Sequence, residues 1–238
     1  MVVIRSILTY LWVGVMMIIG LPVLHHCNKI KEKDPKVGAE KLHRFVQKFC
    51  SVILKLSGIR IVAKGKENIP AEEPVVFIGN HQSMMDVAVM LHEVDRPLGF
   101  LAKAELSKIG LVRKWILGIG SVFIERGEIR KGLEAIIQSA KVVKSGHALA
   151  VYPEGTRTRD GSMGEFKAGS MKIASKGGAC IVPVAIRGAF EVMPPNKIWF
   201  YKGTIEVDFL PPISAEEVKA LDSTTTAENV KAMIQAVL

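Results

Sequence analysis

Residues 75–86 read Val75-Val76-Phe77-Ile78-Gly79-Asn80-His81-Gln82-Ser83-Met84-Met85-Asp86. The first four residues are apolar and predict a short buried strand, and Gly79 predicts the turn that ends this strand. The apolar residues from Val87 to Leu91 predict that a helix follows the turn. The segment therefore has a strand–turn–helix pattern, and His81 falls in the turn, where functional groups are common.

His81 and Asp86 are the most informative pair of side chains in this segment. Histidine accepts protons near neutral pH, and an adjacent carboxylate fixes its tautomer and stabilises the imidazolium that forms. The two residues would not share one helix face, but the turn allows His81 to fold back toward Asp86. Alternatively, Ser83 to Asp86 fits an S-x-x-D capping box, in which Asp86 only caps the helix and His81 is an ordinary loop residue. The segment alone leaves both interpretations open.

From residue 59 onward the chain alternates between short apolar runs and helical stretches. Strands are predicted at residues 59–63, 74–79, 98–102, 121–124, 148–152, 180–186 and 204–209. Helices are predicted at residues 86–93, 129–145 and 166–176 and near residues 227–237. This alternation predicts an α/β fold with a mixed, mostly parallel sheet flanked by helices. Functional residues of such sheets gather at the carboxyl ends of strands, where this chain has His81, Lys103, Arg126 and Glu154.

The composition points to an anionic partner. The 238 residues carry a net charge of +9, and 49% of them are apolar, which suggests contact with lipid. Nucleic acid, an acidic membrane surface and a phosphorylated substrate all fit the charge, but the scarcity of aromatic residues argues against nucleic acid. The cysteines, Cys27, Cys50 and Cys180, show neither a disulfide framework nor zinc spacing, which favours a reducing, cytoplasm-facing setting.

The amino-terminal segment has the composition of a membrane anchor. Residues 6–24 contain no charge, and as one helix they would rise about 28 Å, close to the thickness of the hydrocarbon core. A cleaved signal peptide is the alternative, but only Arg5 precedes the run and no A-x-A cleavage site follows it. The lysines that come next, Lys29, Lys31, Lys33 and Lys36, predict that the following side is cytoplasmic.

Residues 36–56 continue this pattern as a basic amphipathic helix. Its apolar residues recur at helical spacing: Leu42, Phe45, Val46, Phe49, Val52, Ile53 and Leu56. We expect this helix to lie in the headgroup plane, with packing on the domain core as the alternative. The predicted organisation is thus a membrane-anchoring helical pair in residues 1–57 and an α/β domain in residues 58–238. A full span and insertion into one leaflet both remain open.

Residues 151–161 read Val151-Tyr152-Pro153-Glu154-Gly155-Thr156-Arg157-Thr158-Arg159-Asp160-Gly161. Guanidinium groups bind phosphate through paired hydrogen bonds, and glycine permits a close approach of the backbone. Arg126 and Lys103 supply further cations after other strands. The alternatives are a solvated turn with a charged tip here and ordinary surface side chains at Arg126 and Lys103. No Walker P-loop is present, and His81 and Asp86 lack further ligands at metal spacing.

These segments resemble the glycerolipid acyltransferases, and among them the bacterial 1-acyl-sn-glycerol-3-phosphate acyltransferases. Four motifs carry the resemblance in the family's order: Asn80 to Asp86 as H-x4-D, Gly120 to Arg126, Tyr152 to Arg157, and Ile181 to Ile186. Phe100 to Leu106 and Phe166 to Gly169 are also similar to the family. The similarity extends from about residue 59 to residue 212, and the ordered set of motifs is much more specific than H-x4-D alone.

The resemblance implies a role for each motif residue. His81 would be the general base, and Asp86 would orient it. Glu154 and Gly155 would seat the glycerol end of the acceptor, with Thr156 beside them. Three cations, Lys103, Arg126 and Arg157, would hold the phosphate, and Arg159 is a weaker candidate. The family's scheme needs no cofactor, no metal and no acyl-enzyme intermediate.

The expected reaction moves a fatty acyl group from an acyl carrier protein or coenzyme A thioester to the sn-2 hydroxyl of lysophosphatidic acid. Its product is phosphatidic acid, formed at the cytoplasmic face of the membrane. The expected partners are the bilayer, lysophosphatidic acid and the thioester, and not nucleic acid. The alternatives are an acyltransferase for glycerol 3-phosphate or an amine or sugar lipid, an acyl hydrolase, and a non-catalytic lipid-binding protein.

Overall fold

The computed structural model describes residues 1–125 and 127–238 of the chain. Each predicted strand is present: β1 Ile59–Lys64, β2 Val75–Gly79, β3 Leu98–Lys103, β4 Val122–Ile124, β5 Ala148–Val151, β6 Cys180–Arg187 and β7 Gly203–Phe209. They form one sheet in the order β1-β7-β6-β2-β5-β3-β4. In this sheet β6 and β7 run antiparallel and the other neighbouring strands run parallel. The mixed, mostly parallel sheet is therefore confirmed.

Helices cover both faces of the sheet. They are α1 Val2–Ile19, α2 Leu21–Lys33, α3 Pro35–Ser57, α4 Met85–Glu93, α5 Gly110–Gly118, α6 Ile129–Lys144, α7 Lys172–Gly177, α8 Ala189–Val192, α9 Ala215–Ala220 and α10 Ser223–Gln235. Val75 and Phe77 of β2 point to the side of α1–α5 and α8, whereas Val76 and Ile78 point to the side of α6, α7, α9 and α10. Because both faces of β2 are buried, this strand is a continuous apolar run rather than an alternating one.

The pairing of β2 determines where the site lies. Val76 pairs with Leu149 of β5 on one side and with Ile181 of β6 on the other, both in parallel. Parallel neighbours end at the same edge of a sheet. The turn after β2 and the loop after β5 therefore meet at the carboxyl edge, as the sequence predicts.

Two helical predictions differ from the structure in the globular part. The predicted helix at residues 166–176 is divided into a 3₁₀ turn, Ala168–Met171, and the short α7. Gly169 and Ser170 are weak helix formers, so an α-helical conformation would stabilise this stretch only slightly. Helices α5, α8 and α9 are not among the predicted helices, and at four and six residues α8 and α9 show too little periodicity to detect.

The amino-terminal apolar run does not form the single helix expected over residues 6–24. Helix α1 ends at Ile19, and α2 begins at Leu21 with Pro22 in its first turn, where proline is tolerated. A side chain at Gly20 would clash with the Trp115 ring, which packs 2.8 Å from the position of the missing Cβ. By length and composition, α1 is a helix that could cross a membrane.

Helix α3 packs on the domain core. Leu42, Val46 and Leu54 are buried in the same cluster as Phe77 of the sheet. The expectation that the apolar face of this helix contacts the headgroups is therefore wrong, and the alternative of packing on the core describes it. The apolar periodicity is the same in both situations, which is why the sequence does not separate them.

The described residues instead present apolar side chains outward along α1. Ile4, Leu11 and Ile18 are each about three-fifths exposed. The opposite side of α1 is attached to the segment that precedes β7. Arg5 donates a hydrogen bond to the Phe200 carbonyl, and the Phe200 N–H donates one to the Ser6 hydroxyl. Helix α1 therefore has one face bound to the domain and one face that is open and apolar.

Candidate active site

The turn after β2 brings His81 and Asp86 together. The His81 Nδ1 atom lies 2.7 Å from Asp86 Oδ2. The backbone N–H groups of Gln82 and Ser83 donate to the same oxygen at 2.7 and 2.9 Å, and the carboxylate is completely buried. Since a carboxylate only accepts, Nδ1 carries the proton and Nε2 is the imidazole nitrogen free to accept one.

Catalytic orientation and helix capping are thus combined in one carboxylate. The bond from the Ser83 N–H to Asp86 is one half of a capping box. The other half is absent, because the Ser83 hydroxyl accepts from the Met85 N–H and donates to the Met193 carbonyl. Asp86 therefore fixes the turn and orients His81 at the same time.

Side chains on both sides of His81 fasten the turn to β6 and α8. The Asn80 amide donates to the Ile186 carbonyl and accepts from the Ile186 N–H, both at 2.8 Å. The Gln82 side-chain oxygen accepts from the Ala189 N–H at 3.1 Å. These contacts are buried, so the backbone that carries His81 has little freedom to move.

Glu154 braces the same turn from the loop after β5. Its Oε1 accepts from the His81 N–H at 2.7 Å, and its Oε2 accepts from the Gly164 N–H at 2.8 Å. Burial raises the pKa of this carboxyl group, and the two backbone hydrogen bonds partly oppose that rise. Both carboxylate oxygens thus bind backbone here, and contact with a glycerol group stays a prediction.

Two neighbours of His81 are absent from the predicted set. The Thr158 N–H donates to the His81 carbonyl at 2.8 Å, and the Tyr152 ring stacks on the imidazole. Both belong to the loop after β5, which the sequence singles out because it contains Arg157 and Arg159. Their contacts with His81 arise through space from the pairing of β2 with β5, so no spacing within the loop signals them.

The predicted phosphate-binding cations have different surroundings. Arg157 is half-buried, and its guanidinium has no ion pair or hydrogen bond within the described part of the chain. Lys103 is about half exposed and pairs with Glu105 at 2.9 Å. Arg126 lies outside the described residues. Of the two described cations, Arg157 has the charge more available to a ligand, and phosphate binding by all three stays a prediction.

Gly155 allows a further cation to approach this loop. Its φ of +74° is a conformation that favours glycine, and the Lys167 Nζ atom lies 3.0 Å from the position where a Cβ would stand. Lys167 belongs to the similar segment Phe166 to Gly169, but it is not in the predicted site. The neighbouring Thr156 is exposed to solvent.

Residues 1–125 and 127–238 contain no group of three or more histidine, cysteine or acidic side chains arranged to hold a metal ion. The expectation that the reaction needs neither metal nor cofactor stays a prediction. The chemistry available in the described residues is that of a carboxylate-oriented imidazole next to a loop that bears cations.

Comparisons with known proteins agree with this geometry. Residues 60–187 match the family described as Acyltransferase. The 1-acyl-sn-glycerol-3-phosphate acyltransferase of Borreliella burgdorferi is 37% identical over 135 residues, which cover 57% of this chain and about half, 54%, of that protein. The probable 1-acyl-sn-glycerol-3-phosphate acyltransferase of Mycoplasma pneumoniae is 32% identical over 209 residues, or 82% of this chain and 76% of that protein.

A solved structure extends the likeness to nearly the whole chain. The crystal structure of the 1-acyl-sn-glycerophosphate (LPA) acyltransferase PlsC from Thermotoga maritima superposes with a TM-score of 0.79. The two sequences are 26% identical, and the superposition covers 97% of this chain and 95% of that one. From the family match, the relatives and the shared fold together, we conclude that this chain belongs to the acyltransferase family.

Proposed function

We propose that this acyltransferase moves a fatty acyl group from an acyl thioester to the sn-2 hydroxyl of lysophosphatidic acid and so forms phosphatidic acid. The observation that carries the proposal is the hydrogen bond between His81 Nδ1 and Asp86 Oδ2, which leaves Nε2 as a base. The bacterial relatives are named for the acylation of 1-acyl-sn-glycerol 3-phosphate, and this supports lysophosphatidic acid as the acceptor.

The proposed reaction is a direct transfer. His81 Nε2 takes the proton of the acceptor hydroxyl while the hydroxyl oxygen attacks the thioester carbonyl carbon. The carbon–sulfur bond then breaks, and the imidazolium returns the proton to the leaving sulfur. Asp86 stabilises the imidazolium between these steps. The thioester supplies an activated acyl group, so the scheme requires no cofactor.

The loop after β5 provides the charge that an anionic acceptor needs. Arg157 and Lys167 carry cations on this loop and the segment next to it, and the Lys167 Nζ atom lies 3.0 Å from the position where a Cβ of Gly155 would stand. Guanidinium and ammonium groups bind phosphate strongly in partly desolvated sites. We therefore assign the acceptor phosphate to this loop, with Lys103 and Arg126 as further candidates.

An acyl-transfer assay tests the proposal. The purified protein is incubated in lipid vesicles with an acyl-CoA or an acylated carrier protein and with lysophosphatidic acid, glycerol 3-phosphate or no acceptor. Mass spectrometry should identify phosphatidic acid, formed only when lysophosphatidic acid is present. Preferred acylation of glycerol 3-phosphate would overturn the choice of acceptor, and free fatty acid released equally without acceptor would indicate a hydrolase. The two donors distinguish the carrier protein from coenzyme A.

The exposed apolar face of α1 supports attachment to a membrane, and the lysines that follow α1 support the cytoplasmic side of that membrane: Lys29, Lys31, Lys33 and Lys36. Moving the outward-facing apolar side chains of α1 from water into lipid lowers the free energy. Replacing Ile4, Leu11 and Ile18 by serine should release the protein from anionic vesicles in a flotation assay. The matched control replaces three exposed apolar residues of α6, on the other face of the sheet, by serine and should leave vesicle binding intact: Ile129, Leu133 and Ile137. Equal binding by both variants would contradict attachment through α1.

A further inference from the structure

Tyr152 has an unusual position beside the imidazole of the active site. Its ring lies parallel to that of His81, with 4.2 Å between the ring centroids and 10° between the planes. On another side it packs over Gly79, where an added Cβ would lie 3.5 Å from the Tyr152 Cε1 atom. The tyrosine ring therefore fills the space between the end of β2 and the catalytic turn.

The stack constrains a motion that the Asp86 hydrogen bond leaves free. That bond holds one nitrogen of the imidazole at 2.7 Å but does not by itself fix the plane of the ring. A parallel aromatic surface prevents the imidazole from tilting. The direction of Nε2 depends on this plane, and small errors in the position of a general base are costly to the rate.

The tyrosine hydroxyl takes no evident part in this arrangement. Its oxygen is buried and has no hydrogen-bond partner among residues 1–125 and 127–238. Burial, with a smaller contribution from the Asp86 charge, raises the pKa of this phenol well above its ordinary value. The side chain therefore stays neutral and faces His81 with an aromatic surface, which attracts the cation that forms when His81 takes a proton.

We propose that Tyr152 is a positioning residue for the acyl transfer, whose ring fixes the plane of the His81 imidazole and favours the imidazolium. This inference rests on the proposed function, in which His81 is the general base. It concerns the aromatic ring and not the hydroxyl, so phenylalanine should replace tyrosine and an aliphatic side chain should not.

The test compares Tyr152→Leu with Tyr152→Phe in the full-length protein. The leucine variant should lose roughly tenfold or more in kcat, with the KM values of both substrates nearly unchanged, since the ring acts on the base. The phenylalanine variant should retain most of the wild-type kcat. Phe77→Leu is the matched control: Phe77 is a buried aromatic residue of the neighbouring strand that packs on Phe209, and its loss should leave kcat unchanged.

An NMR measurement reports the stack without substrate. A ring stacked on the imidazole shifts the His81 ring protons upfield, and these protons are assigned from their loss in the His81→Gln spectrum. The upfield shift should be present in wild type, Tyr152→Phe and Phe77→Leu and absent in Tyr152→Leu. Tyr152→Met takes the place of the leucine variant if the latter does not fold.

Two results would overturn the proposal. One is an aliphatic variant that keeps the wild-type kcat. The other is a phenylalanine variant that loses as much activity as the aliphatic one, which would assign the effect to the hydroxyl. If the NMR shifts follow the expected pattern but wild type forms no phosphatidic acid, the proposed function is wrong although Tyr152 does stack on His81.

Discussion

At the residue scale, one oxygen of Asp86 determines the geometry of the site. It accepts from two backbone N–H groups and from the His81 imidazole, all within 2.9 Å. Because the two N–H groups belong to residues 82 and 83, the turn cannot form without holding the carboxylate close to the imidazole. The short H-x4-D spacing therefore specifies both the local fold and the orientation of the base.

Arg157 provides a prediction at this scale. Arg157→Ala should raise the KM for lysophosphatidic acid about tenfold or more and leave kcat nearly unchanged, because a charge-assisted hydrogen bond to phosphate contributes about 1.5–3 kcal/mol. Steady-state kinetics with varied acceptor measure the effect. Arg44→Ala is the control and should leave this KM unchanged, since Arg44 is an exposed arginine on α3, outside the loop after β5. An unchanged KM in the Arg157 variant would exclude it from phosphate binding.

The sequence identifies the site residues that belong to short linear motifs, such as His81, Asp86 and Glu154. It does not identify Tyr152 or Thr158 as neighbours of His81, because their contacts depend on the pairing of β5 with β2. The backbone N–H groups that bind both Glu154 oxygens are also visible only in the structure. A motif marks which residue types are present, whereas the partner of each side chain depends on the tertiary fold.

At the scale of elements, the site depends on the attachment of the turn after β2 to β6. Asn80 makes the strongest link, because it satisfies both the N–H and the carbonyl of Ile186 in a buried position. Removing it would leave two backbone groups without partners, and each would cost free energy. The turn is thus held by side chains as well as by the ladder of the sheet.

Asn80→Ala should lower the free energy of unfolding by about 2–4 kcal/mol. Urea denaturation followed by circular dichroism measures this change. Asn68→Ala serves as the comparison, because the Asn68 side chain makes one hydrogen bond, to the Phe209 carbonyl, in a less buried place. Asn68→Ala should lower the free energy of unfolding by clearly less than Asn80→Ala does. Equal effects of the two substitutions would show that the double link to Ile186 has no special importance.

The strands and helices differ in how far the sequence specifies them. Strands such as β2 and β6 are predicted correctly because their buried apolar runs are bounded by turn residues. The role of α3 is not predicted correctly, since an apolar stripe on a helix can pack on a protein core or contact a lipid surface. Only the packing of Leu42, Val46 and Leu54 on the domain distinguishes the two.

At the scale of the whole molecule, the order of strands is the main feature that the sequence does not reveal. Strand β7, near the end of the chain, lies between β1 and β6. It pairs in parallel with β1 and antiparallel with β6. Local patterns indicate that a strand exists, but its neighbours depend on how the whole sheet buries its two faces.

Stability toward acid is a property of the whole fold that His147 should influence. Burial lowers the pKa of this imidazole to about 4, although its hydrogen bond to the Ile119 carbonyl opposes the change. The unfolded chain therefore takes up a proton near pH 6.5 that the folded protein does not take up until about pH 4. Folding stability should fall as the pH decreases through this range, by about 2 kcal/mol between pH 7.5 and 5 from this residue.

Urea denaturation of wild type and His147→Gln at pH 7.5 and pH 5 measures this contribution. The variant should lose less stability than wild type on acidification, whatever its stability at pH 7.5. Identical losses in the two proteins would show that His147 is not held neutral in the folded state.

As the proposed base for acyl transfer, His81 is the residue on which the activity of the whole protein depends. The decisive experiment compares initial rates of phosphatidic acid formation by wild type and His81→Ala at saturating lysophosphatidic acid and thioester. The rate should fall by about 10²–10⁴-fold, while thioester binding and thermal unfolding stay close to wild type. A folded His81→Ala protein that forms phosphatidic acid at the wild-type rate would contradict the account.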